Sequence, residues 1–67
     1  MSQNVYKKVE IVGVSTKGCD DAIQTAIAEA RKTQKGLSWF EVTEIRGNLQ
    51  GPSVVFQVTL KLGCLEE

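Results

Sequence analysis

Alternation of apolar and polar residues divides the chain into three strand-like stretches and one helix-like stretch. Val5 to Val14 is rich in valine and isoleucine. It places Tyr6, Lys8, Glu10 and Val12 on one side and Val5, Lys7, Val9 and Ile11 on the other, because successive strand side chains point to opposite faces. Ala22, Ile23, Ala26, Ile27 and Ala30 then recur at helical spacing, forming a narrow apolar stripe opposite Lys17, Gln24, Glu29 and Lys32. Ser15 stands where an N-cap belongs, Asp20 and Asp21 suit the positive helix end, and Lys35-Gly36 reads as the stop. These signals predict a helix of about 20 residues and about 30 Å. Its alanine-dominated stripe permits close approach to a sheet.

A second strand is expected from about Ser38 to Arg46, then a turn through Gly47-Asn48-Leu49-Gln50-Gly51-Pro52, whose glycines and proline fit a hairpin connection. The third strand, Val54 to Cys64, is long. Val54, Phe56, Val58, Leu60 and Leu62 share one face, and Val55, Gln57, Thr59, Lys61 and Gly63 share the other. The order is β-α-β-β, an α+β fold in which a three-stranded antiparallel sheet curls around one long helix. One helix covers one face of such a sheet. The other face is left with Trp39, Glu41, Thr43, Gln57, Thr59 and Lys61. Strict alternation puts Glu41 and Glu44, three apart, on opposite faces, which excludes a carboxylate dyad.

Trp39, the chain's one tryptophan, is the residue on that face that polar solvation does not explain. Phe40 and Val42 define the buried side of its strand, so the indole falls with Glu41 and Thr43. An indole buries on the order of 200 Å² of largely apolar surface when it finds a partner. A flat ligand, another subunit, or both at once would serve; so would packing of the ring against the helix end.

Composition narrows the classes. The 67 residues are read as one domain, 1–67, and a chain of this length buries only about 60% of its unfolded surface, so a monomer is marginal. Disulfide and metal support are poorly supplied: Cys19 and Cys64 are far apart in sequence, and histidine is absent. Both cysteines are expected to be reduced and semi-buried. Self-association remains as the route to stability. Eight basic and eight acidic residues cancel, so no electrostatic footprint for nucleic acid or an anionic membrane exists. The apolar runs are too short to span a bilayer and Met1-Ser2-Gln3-Asn4 lacks a signal peptide's apolar stretch, which makes the cytoplasm the expected compartment. Gly13-Val14-Ser15-Thr16-Lys17-Gly18 has glycines with neither dinucleotide-binding nor Walker spacing. With no histidine for acid-base work, an enzyme is not expected.

The stretch Val5-Tyr6-Lys7-Lys8-Val9-Glu10-Ile11-Val12-Gly13 and the helix with Ala22-Ile23 and Ala30-Arg31 resemble the dodecin family. So, above all, do Trp39-Phe40-Glu41-Val42, Glu44-Ile45-Arg46-Gly47 and Phe56-Gln57-Val58. The resemblance covers nearly the whole chain in the same order. It implies a flavin-binding protein that stores and photoprotects its ligand in a hollow homododecamer, with helices outside and sheets inward. Two flavins would stack at a twofold axis between the tryptophans of two subunits. Trp39 matches that tryptophan, Gln57 the glutamine at the polar edge of the ring, and Arg46 an arginine near the site that favours FMN over riboflavin. A strand-end arginine paired with Glu44 or another acid is the plainer role for Arg46. Many bacterial members end Gly-Phe-Arg-Leu-Glu, whereas this chain ends Gly63-Cys64-Leu65-Glu66-Glu67 and so lacks a cation that would contact a phosphate or coenzyme A. A ligand-free oligomeric scaffold is the alternative reading.

Overall fold

The computed structural model describes residues 5–66; the reading of Met1–Asn4 falls outside them. Four elements follow one another: β1 (Tyr6–Ser15), α1 (Cys19–Ala30), β2 (Leu37–Asn48) and β3 (Val55–Leu65). This is the expected β-α-β-β order and α+β class. β3 lies between β1 and β2 and runs antiparallel to both, so the β1-α1-β2 crossover skips one position that β3 later fills.

β3 takes the centre because its helix side is a continuous apolar row. Val58, Leu60, Leu62 and Cys64 are all buried there, and Ala22, Ala26 and Ala30 of α1 pack over them. Close approach also depends on β1. A Cβ at Gly13 would overlap the Ala22 carbonyl oxygen and lie 3.0 Å from Ala26 Cβ. Gly13→Val is therefore expected to push the helix off the sheet and cost about 1–3 kcal/mol or more, read as a lowered denaturant midpoint with an unchanged slope.

The helix is shorter than its sequence signals predict: 12 residues, or about 18 Å. Ser15 is not its N-cap. It ends β1 opposite Phe56, and its hydroxyl accepts the Lys17 N–H at 2.9 Å while donating to Asp21 Oδ2 at 2.7 Å. It thus braces the strand-to-helix turn. Gly18 occupies the cap position with φ 153°, a backbone region that side chains resist. At the other end the apolar stripe runs out at Ala30, and Arg31 to Lys35 have no apolar side to bury. Lys32 N–H bonds Glu29 O and Thr33 N–H bonds Ala30 O, both at 3.1 Å, tightening the chain into turns. No basic residue sits in the last helical turn. Gly36 does adopt a left-handed φ of 73°, but it steers the chain into β2, where its carbonyl accepts the Leu65 N–H at 2.8 Å.

A helix this short leaves β2 uncovered. Phe40, Val42 and Ile45 point to the helix side of the sheet, opposite Leu62, Leu60 and Val58, yet all three are exposed, Ile45 by 59%. The expectation that Phe40 and Val42 are buried fails within one protomer, because α1 packs over β1 and β3. A groove lined by Ile27, Arg31, Leu37, Phe40 and Leu62 remains beside the helix end. The molecule measures 52 × 20 × 15 Å with a radius of gyration of 13.7 Å. A compact chain of this length would have about 11 Å.

β2 also departs from strict alternation. Val42 pairs with Leu60 but Glu44 pairs with Thr59, leaving Thr43 as the extra residue of a β-bulge. Its hydroxyl donates to the Thr59 carbonyl at 3.4 Å. The bulge shifts every later residue of β2 to the other face. Glu44 and Arg46 consequently join Trp39 and Glu41, which corrects the assignment of Glu41 and Glu44 to opposite faces. The two carboxylates still form no dyad: Glu41 pairs with Lys8 Nζ at 3.3 Å, and Glu44 Oε1 accepts the Thr59 hydroxyl at 3.3 Å.

Candidate functional site

The face turned away from α1 is built of three rows in register. β3 contributes Gln57, Thr59, Lys61 and Gly63; β1 lays Val14, Val12, Glu10 and Lys8 opposite them; β2 lays Arg46, Glu44, Glu41 and Trp39. Lys8 and Glu41 pair across β3 with both side chains about half exposed, an arrangement worth at most about 1 kcal/mol. The polar centre of this face is therefore a solvated ladder. Its two ends differ from the centre.

At one end the Trp39 indole lies over Gly63. A Cβ at position 63 would overlap Cδ2, Cε2 and Cζ2 of the indole, three consecutive ring atoms at nearly equal distances. A point near-equidistant from three consecutive ring atoms at such short range sits over the ring's face, not beyond its edge. The indole is thus laid face-down on a glycine backbone, and Gly63 is buried beneath it. Tyr6, from β1, meets the ring with centroids 4.9 Å apart and planes inclined at 57°, the tilted geometry aromatic pairs favour. Trp39 nonetheless remains 43% exposed. It is not tucked under the helix.

At the other end Arg46 Nε donates to Gln57 Oε1 at 2.9 Å. The guanidinium does not pair with Glu44, whose carboxylate is bound to Thr59. Because Gln57 offers its carbonyl to Arg46, its amide N–H groups are what it presents to a ligand. The Arg46 terminal nitrogens make no hydrogen bond among the described residues. This end is a cluster of donors.

All three expected site residues thus share one face, Arg46 only because of the Thr43 bulge, and Arg46 and Gln57 are brought into contact. Trp39 is not. Gly63 lies six positions along β3 from Gln57, about 20 Å at the usual strand rise. A tricyclic ring laid on Trp39 does not reach Gln57 of the same sheet. Gly63 and Tyr6 were not singled out as site residues from sequence. A glycine inside a long strand signals a close approach, whereas alternation groups Tyr6 with Lys8 and Glu10 without saying which face of the sheet they take.

Cys19 is half-buried at the start of α1, Cys64 is buried on the helix side, and both are free thiols. No helix among the described residues is long and apolar enough to cross a membrane.

A small, extended β-α-β-β chain with an aromatic residue laid on its uncovered sheet face is the class that fold and site define. The dodecin family model matches residues 5–66, and the chain belongs to that family. It is 55% identical over 65 residues to a dodecin of Thermus thermophilus, with 94% of each chain covered. A crystal structure of a Thermus thermophilus protein, 53% identical, matches with a TM-score of 0.87 over 94% of both chains. The dodecin of Streptomyces coelicolor, 43% identical, matches at 0.88 over 100% of this chain and 97% of that one. Dodecins are flavin-binding proteins, small binders in place of catalysts.

Proposed function

We propose that this chain stores, sequesters and photoprotects flavin, FMN foremost, as stacked pairs held between the Trp39 indoles of neighbouring subunits in a hollow homododecamer. The observation that carries this reading is the indole laid face-down on Gly63 while Trp39 stays 43% exposed. One such face is a platform for a planar ring. Two of them facing across a symmetry axis make a slot.

The distance between the two ends of the open face supports a slot to which more than one subunit contributes. Trp39 and the Arg46-Gln57 pair lie about 20 Å apart on one sheet, so a ring stacked on one subunit's Trp39 is read at its polar edge by Gln57 of another. Self-association is then part of the site. It also covers Phe40, Val42 and Ile45, which α1 leaves bare.

Flavin, when bound, supplies a light-absorbing, redox-active ring. Trp39 in contact with it would donate an electron to the excited ring and take it back, dissipating the excitation, and would block one ring face against substrate. Gln57 donates to ring carbonyls, and Arg46 turns its free nitrogens toward ribityl or phosphate oxygens with a fixed fork. Arg46→Ala is accordingly expected to weaken FMN more than riboflavin, by about 1–3 kcal/mol of differential affinity. Equal losses in paired titrations would place the guanidinium away from the phosphate. With no cation at Cys64-Leu65, coenzyme A is not expected to be held at that end. The direct test of the reading is a titration of ligand-free protein with FMN, following flavin emission. Quenching to saturation at one flavin per subunit supports it; unquenched emission throughout rejects it.

A further inference from the structure

We infer that Gly63 and Tyr6 are positioning residues that fix the height and tilt of the Trp39 platform, and that the missing side chain at position 63 sets how thick a ligand stack the site accepts. The inference deepens the stacking reading above and rests on it.

Gly63 faces the open side of β3, with Trp39 on one neighbouring strand and Lys8 on the other. Its φ is not in the positive range, so its backbone does not require glycine. What requires glycine is the ring. Any Cβ would overlap three indole atoms at once, where ordinary contact begins at 3.4 Å, so even alanine lifts the indole by about 1 Å or more or tips it aside. Tyr6 packs against the ring with centroids 4.9 Å apart and so restricts its movement. Glycine beneath the ring and tyrosine in contact with it together hold the indole low and at one angle. In a slot closed by two such rings each lift counts twice, narrowing the slot by about 2 Å or more, over half the thickness of one aromatic layer. Position 63 is thereby a specificity determinant. Glycine admits a stacked pair, and a larger residue selects for a single ring or none.

Because Trp39 is the sole tryptophan, its emission and near-ultraviolet dichroism report the platform without any ligand. The test compares wild type, Gly63→Ala and Tyr6→Ala, each first flavin-free and then titrated with FMN. For Gly63→Ala the expected results are an altered Trp39 spectrum, affinity reduced at least tenfold, and stoichiometry reduced to half or less, with assembly retained. An altered spectrum with wild-type affinity and stoichiometry overturns the inference and leaves the stacking reading standing. Absence of FMN quenching in the wild type defeats the stacking reading itself. If Gly63→Ala fails to assemble, Tyr6→Ala decides: greater depolarisation of Trp39 emission with severalfold weaker binding supports the positioning role, and wild-type values of both overturn it.

Discussion

Trp39→Ala is expected to abolish tight flavin binding and to restore the emission of whatever flavin remains. In the proposed site the indole is the stacking surface and the electron donor at once, so one substitution removes both effects. A buried aromatic anchor at the centre of a contact is commonly worth about 2–4 kcal/mol on truncation, corresponding to roughly thirtyfold to a thousandfold weaker binding. The loss should appear without unfolding, since the indole contributes to neither the alanine stripe nor the Val58-Leu60-Leu62 row that form the core. A fluorescence titration with wild-type affinity, or with quenching still complete, would show that the ring partner lies elsewhere.

Ile45→Asp is expected to dissociate the particle while leaving the protomer's own core untouched. Ile45 is 59% exposed in the single chain, where an aspartate would change stability by less than about 0.5 kcal/mol. If neighbouring subunits cover Phe40, Val42 and Ile45, the same carboxylate is buried unpaired and costs about 3–5 kcal/mol per subunit. Size-exclusion chromatography with light scattering separates the two cases. A particle of unchanged mass would mean that this face stays open to water in the assembly. Flavin binding should fall with the mass if, as proposed, Trp39 and the Arg46-Gln57 pair reach one ligand from different subunits.

The strands were legible nearly to the residue because alternation is a strong signal, and β3 above all: Val58, Leu60 and Leu62 were assigned to the helix face and are buried there. Trp39 was legible as a misfit on a polar face. The helix was overextended because Ser15 and Gly36 are real turn residues attached to the wrong boundaries. One braces the joint into α1 and the other the joint into β2. The bulge at Thr43 was invisible to a period of two. The out-of-phase Ile45, apolar where alternation wanted a polar residue, was its one trace. Without the bulge Arg46 belongs with Phe40 and Val42, and its contact with Gln57 does not exist. Gly63 was missed for a different reason. A glycine's function in a strand lies in what rests on it, and only the β2-β3 register places Trp39 there.

Native mass spectrometry of the protein purified with its pigment, read beside its absorbance and emission, reports subunit count and ligand together. The expected particle is a dodecamer that is yellow, almost non-fluorescent in the flavin band, and loaded to one flavin per subunit. A monomer, or an assembled particle that takes up no flavin when FMN is supplied, would contradict that expectation.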